Sequence, residues 1–271
     1  MKPHPHPTAP SAAPWRAAAL GLCAGILAAL LWGAPAQWLA QRTALASQDR
    51  MQLRDARGTV WSGSAALTLT GGPGSHDARS LPSRLHWTLS WRWPGLMLEL
   101  SSTCCTSTPL QWRLGAGADW RHLELALQDQ QSVWPMTVLA GLGAPWNTLQ
   151  AEGRLQWQSS GLRLAWRAGQ LHWHGQIELQ VQDLASRLST LRPMGSYRLT
   201  WLGAATGTTT PSLTLTTQQG PLQLSGQGQW LGQRLRFSGE ASADPGHEEA
   251  LSNLLNIIGR RDGARSLLSL G

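Results

Sequence analysis

From about residue 60 onward, apolar side chains recur at every second position. Along residues 84–93, Leu85, Trp87, Leu89, Trp91 and Trp93 alternate with His86, Thr88, Ser90 and Arg92. A strand sends successive side chains to opposite faces, so this alternation predicts a strand with one buried and one solvated face. The same period joins Leu110, Trp112 and Leu114; Leu123, Leu125 and Leu127; and Leu162, Leu164 and Trp166, with Arg163 and Arg167 opposed. It returns in Leu171, Trp173, Ile177 and Leu179 against His172, His174, Gln176 and Glu178, and in Tyr197, Leu199 and Trp201. Leu213/Leu215, Leu222/Leu224 and Leu235/Phe237 close the series, giving about ten short strands. Gly and Pro punctuate them, as in Gly71-Gly72-Pro73-Gly74, Ser160-Gly161, Ala168-Gly169, Gly220-Pro221 and Leu231-Gly232. Short strands with turns and no long helices between them predict an all-β, antiparallel sheet and exclude a parallel α/β fold.

Helical spacing is confined to short stretches. Residues 135–141 and 183–191 each suit a short helix. Residues 248–258 suit a third, with Leu251, Leu254, Leu255 and Ile258 on one side and Glu248 and Glu249 at its positive end. Leu85-His86-Trp87 recurs as Leu171-His172-Trp173, which suggests two similar β units, about 50–145 and 146–245, followed by the C-terminal helix.

The N-terminus departs from this pattern. Residues 17–40 run 24 positions without a charge, preceded by Lys2 and Arg16 and followed by Arg42. As a helix rising about 1.5 Å per residue, that run is long enough to span a bilayer. Cations without acids ahead of it place residues 1–16 in the cytoplasm and residues 41–271 outside it. A cleaved signal peptide is the competing reading, because Ala34-Pro35-Ala36 has an Ala-x-Ala form. Both readings export the body.

Composition narrows the chemistry. The 271-residue chain carries a net charge of +7, a pI near 10.8 and only 14% charged residues, at a mean hydropathy of −0.21. Lys2 is the single lysine, and the arginines are spaced singly through the strands rather than clustered into a stripe, which argues against nucleic acid. The densest group, Arg260, Arg261 and Arg265, suits the end of the C-terminal helix. Sixteen Trp stand against one Tyr and one Phe. Exposed indoles would suit sugars, quaternary ammonium groups or a bilayer surface. Their strict sharing of a face with Leu predicts instead the core of a twisted sheet, with a lipid-lined or partner-binding groove as the alternative.

No catalytic, cofactor-binding or metal-binding residues are predicted. Ser62 and Ser64 lack the Gly-x-Ser-x-Gly spacing of a nucleophile elbow, and no glycine-rich phosphate loop opens a helix. His172 and His174 with Glu178 could ligate a metal, but outward polar positions on a strand predict the same pattern. Cys104 and Cys105 could form a vicinal disulfide in an oxidising compartment, although two idle thiols suit the surroundings better.

Several segments, taken in order, carry a family resemblance. They are Leu53-x-x-x-x-Gly58-Thr59-Val60-Trp61-Ser62-Gly63-Ser64-Ala65 behind an apolar anchor, the strand from Leu85 to Trp93-Pro94, and Leu188-x-x-Leu191-x-Pro193-Met194-Gly195-x-Tyr197. Thr216-x-x-x-Gly220-Pro221-Leu222-x-Leu224-x-Gly226-x-Gly228-x-Trp230 follows, and Glu249-x-Leu251 to Leu255-x-x-Ile258-Gly259-Arg260-Arg261 closes the series. Together they resemble the type II secretion system protein N family over essentially the whole chain. The resemblance implies a non-enzymatic, single-pass component of the inner membrane of a Gram-negative bacterium, with its β-rich body in the periplasm. It further implies a part in moving folded proteins through an outer-membrane secretin, by contact with the secretin or with inner-membrane platform proteins. No cofactor and no small-molecule substrate are implied. The alternative is an AsmA-like envelope protein that carries or bridges lipid along an open apolar β groove. An open trough on the sheet would favour that alternative, and a filled core the first reading.

Overall fold

The computed structural model describes residues 14–116, 123–167, 170–204, 210–231 and 234–271. The expected cytoplasmic tail before residue 14 and the turns expected at 117, 168–169 and 232 lie outside the described residues.

Two helices open the chain: α1 (Pro14–Trp32) and α2 (Ala36–Ala46). The uncharged run from Ala17 to Ala40 is therefore not one helix. It breaks at Gly33-Ala34-Pro35, because Pro35 lacks an N–H and pairs instead with Thr59 as an isolated bridge. Among the described residues no helix is long and apolar enough to cross a membrane.

Sixteen strands follow among the described residues. They are β1 (Met51–Gly58), β2 (Ser62–Thr70), β3 (Ala78–Ser80), β4 (Leu85–Arg92), β5 (Gly95–Ser101), β6 (Leu110–Ala116), β7 (Leu123–Leu127) and β8 (Gln130–Pro135). A 3₁₀ helix (Met136–Leu142) and the single turn α3 (Trp146–Leu149) lead to two long strands, β9 (Glu152–Arg167) and β10 (Gln170–Ala185). Then come β11 (Gly195–Leu202), β12 (Ser212–Gln219), β13 (Leu222–Leu231), β14 (Arg234–Ala243), α4 (Glu248–Ile258), β15 (Arg260–Asp262) and β16 (Arg265–Leu270).

All of these strands belong to one antiparallel sheet. It runs β1-β2-β4-β5-β6-β7-β9-β10-β11-β12-β13-β14-β16-β15, with β3 on β2 and β8 on β9. Residues 50–145 and 146–245, expected as two similar β units, both contribute strands to this one sheet. β7 and β8 follow one another along the same edge of β9, where Leu123 faces Trp166 and Gln130 faces Ser159. Between them the Asp129 carboxylate accepts the Gly161 N–H at 2.6 Å. Gly161 and Gly175, at φ of +58° and +97°, make a bulge there, and a Cβ on Gly175 would fall 2.4 Å from the Gly161 carbonyl oxygen. The extra residue shifts β9 from Leu162, Leu164 and Trp166 inward to Leu155, Trp157 and Ser159 inward, so one apolar face survives the bend.

The sheet is rolled. Trp173 on β10 and Trp230 on β13 meet edge to face with centroids 6.2 Å apart. Three strand spacings in a flat sheet would separate them by roughly 14 Å. Strong twist and roll are the general outcome of right-handed strand twist.

The concave face is covered unevenly. Over β10–β14 it is filled: Leu251, Leu254 and Leu255 of α4 pack with Met194, Tyr197, Leu222 and Ala241. Their spacing, three and then one residue apart, gives α4 the one-sided stripe expected of a surface helix, and each buried Leu contributes about 2 kcal/mol. Ser266 donates to the Leu255 carbonyl at 2.5 Å and Ser189 to the Ala250 carbonyl at 3.0 Å, fixing the helix to strand and loop.

Several expectations are corrected here. Residues 183–191 are not a helix: β10 continues to Ala185 and carries Leu184 onto the same core, and the loop that follows adds Leu188 and Leu191. Arg260, Arg261 and Arg265 do not end the C-terminal helix but belong to the hairpin β15–β16. Residues 135–141 do form a helical turn, of 3₁₀ type, and residues 248–258 form α4 as expected.

Candidate functional site

Over β1–β9 the concave face is left open as a groove of about 570 Å³. Leu85, Trp87 and Leu89 of β4, Leu98 and Leu100 of β5, and Leu110 and Trp112 of β6 make its floor. Met51, Leu53 and Leu67 wall one side, Trp134 and Trp157 the other, while Leu39 and Thr43 of α2 lean over it. Ser132 and Thr43 are its polar contributors, and the Trp134 indole N–H donates to the Ser132 hydroxyl at 2.7 Å. The Trp112 Nε1 is buried and has no hydrogen-bond partner among the described residues. A volume of this size is that of a small-molecule pocket, and its lining selects an apolar occupant.

The end of the groove is built around Trp87, whose side chain is 3% exposed. Its indole N–H is shared between the carbonyls of Thr59 and Val60, at 3.2 and 3.1 Å. Those carbonyls belong to the Gly58-Thr59-Val60-Trp61-Ser62-Gly63 turn, which therefore closes over the ring. Gly63 is required there, since a Cβ would lie 2.5 Å from Trp87 Cζ2 and 2.6 Å from the Arg57 carbonyl oxygen. On its other side the same turn holds the chain between the first two helices, with the Val60 N–H donating to the Ala34 carbonyl at 2.9 Å. Ala36 is then buried against Ala65 and Trp87, with Leu39 packed beside them. One turn thus couples the apolar N-terminal segment to the groove.

The outer face of this wall is held electrostatically. Arg84 reaches from the start of β4 across β2 to Asp55, at 2.8 Å, where β1 bulges between Arg54 and Arg57. Hydrogen bonds from Arg84 and Arg57 hold the Asp55 carboxyl below its ordinary value.

The residues singled out from sequence fall elsewhere. His172 and His174 are exposed on the convex face, and Glu178 pairs with Arg198 at 3.0 Å. Among the described residues no group of three His, Cys, Asp or Glu could hold a metal. Cys104 and Cys105 are joined in a disulfide rather than left as idle thiols, and Cys105 is buried with Leu81 and Val138 beside the groove wall. Ser62 and Ser64 belong to the turn and to β2, where Ser64 accepts from Arg84.

Tryptophan burial differs most from expectation. Among the described tryptophans Trp87 alone is fully buried, whereas Trp91, Trp93 and Trp166 are 65%, 78% and 48% exposed. The face on which they lie was legible from alternation; its exposure was not. The spacing Ala36, Leu39, Thr43 could have signalled α2 as a lid, but its first two positions fall inside the uncharged run, which reads as one helix.

A family model matches the chain. The profile of the family described as type II secretion system (T2SS), protein N covers residues 49–267, nearly the whole sheet from just ahead of β1 into β16. No curated protein and no solved structure matches the chain.

Proposed function

The chain belongs to the type II secretion system protein N family, and on that premise we propose that it is a non-enzymatic inner-membrane component of the secretion apparatus. It takes part in export of folded proteins from the periplasm across the outer membrane, and its body works by contact with the secretin or with inner-membrane platform proteins. The family match over 49–267 carries this reading. The apolar N-terminal segment is its single-pass attachment, supported by the exposure of Leu20, Leu22 and Ile26 on α1. β1 and β15 are the two ends of the sheet, and their outer edges are where a partner strand would add. Crosslinking in the periplasm followed by co-purification tests the proposal. Recovery of secretin or platform proteins is expected, and recovery of phospholipid alone would overturn it.

The open groove favours a second reading, that of an AsmA-like protein carrying or bridging lipid. An acyl chain would fill the trough, and its ester carbonyl would accept the orphaned Trp112 N–H. Native mass spectrometry of the purified full chain checks this: a stoichiometric lipid adduct that Leu98→Trp expels supports it, and an adduct unaffected by that change refutes it.

A further inference from the structure

The apolar face does not stop at the groove. Trp91, Leu96, Leu114, Leu125, Leu164 and Trp173 stand directly opposite one another across six strands, forming one transverse row beyond the groove floor. Trp93 and Trp166 lie farther out, and Leu114 within the row is 40% exposed. Ser62, the first residue of β2, pairs with Thr88, so Trp91 extends about 10 Å past the turn that grips the foot of α1. α1 therefore leaves the body from the same end of the sheet as these indoles, and Trp32 at its last turn is 84% exposed.

The outward face of this end is basic. Arg92, Arg113, Arg163, Arg234 and Arg236 are all exposed there, against the half-buried Glu124. At the opposite end the charges are mixed, with Arg154 paired to Asp183 and Arg192 to Glu152, each at 3.0 Å. Exposed indoles behind a fringe of arginine match a headgroup boundary: the ring spans apolar and wet layers while the guanidinium reaches phosphate. A protein interface would also take aromatics and arginine, but it would not require them at the end from which an apolar helix emerges.

We propose that this end of the sheet seats in the surface of an anionic phospholipid bilayer, with Trp91, Trp93 and Trp166 at the headgroup–acyl boundary. The concave face then forms a continuous apolar path from the membrane into the groove. This seating is independent of which secretion component the body contacts, so its failure leaves that reading standing. It also accounts for an excess of indole over phenyl rings that burial alone does not require.

The test uses the full chain reconstituted into phosphatidylethanolamine–phosphatidylglycerol vesicles containing lipids brominated near the top of the acyl chain. Replacing the three rings together, W91F/W93F/W166F, is expected roughly to halve the bromolipid-quenched emission, since Trp15 and Trp32 on α1 remain. Unchanged quenched emission in a variant with native circular dichroism would overturn the proposal. A second variant, R92E/R163E, keeps the rings and is expected to reduce their quenching only when phosphatidylglycerol is present. Equal quenching with and without the anionic lipid would remove the arginines from the contact and sink the proposal in its charged form.

Discussion

Replacing Gly63 by Ala tests the coupling between the N-terminal segment and the groove. The added carbon would lie 2.5 Å from Trp87 Cζ2 and 2.6 Å from the Arg57 carbonyl oxygen, whereas ordinary contact begins near 3.4 Å. Neither neighbour yields easily. The carbonyl belongs to the β1–β2 ladder, and the indole is locked by two acceptors and by Ala36 and Ala65. Overpacking of this kind costs about 1–3 kcal/mol, and displacing the indole N–H from its carbonyls adds about 1 kcal/mol. A total of about 2–4 kcal/mol in a body of this size lowers Tm by about 4–16 °C. Thermal melts of the full chain in detergent, followed by tryptophan near-UV circular dichroism, measure it. G21A is the control, since nothing lies within 4 Å of a Cβ built on Gly21. In a Trp87→Leu background the cost of Gly63→Ala should shrink, because one of the two clashing atoms is gone. A Tm equal to that of G21A, or a cost unchanged by Trp87→Leu, would refute the close approach of ring and turn.

Three further outcomes follow from the same geometry. Burial pushes the Tyr197 phenol above its ordinary value of 10.0, and its hydroxyl donates to the Leu222 carbonyl at 3.0 Å. The unfolded chain therefore loses the proton first, and stability should fall by about 1.4 kcal/mol per pH unit above pH ~10; tyrosinate absorbance of this single tyrosine, appearing only as the protein unfolds, checks it. Leu255→Ala, at a fully buried site on α4, should cost about 2–5 kcal/mol, while Ile257→Ala, at a 55% exposed site on the same helix, should stay within about 0.5 kcal/mol by chemical denaturation. Thiol titration of the denatured chain should find one free cysteine, Cys23, and three after reduction.

Alternation along each strand sufficed to assign its faces, because the side-chain period of a strand is a local property of the backbone. Leu85 to Trp91, Leu162 to Trp166 and Trp173 to Leu179 all point as their spacing says, and the stripe on Glu248–Ile258 needed only its own helical period. Local pattern could not tell how much of the apolar face is covered. That depends on elements brought back from far away in the chain: α4 fills the face of β10–β14, whereas α2 and the turn at Trp87 only roof one end of β1–β9. The break at Pro35 and the loop in place of a helix at 186–191 are likewise settled by contacts with distant parts of the chain. Sequence by itself determined an antiparallel sheet with one apolar face. Only the tertiary structure decided that half of this face is a core and half an open groove, because burial is a sum over neighbours in space and alternation records only the neighbours in the chain.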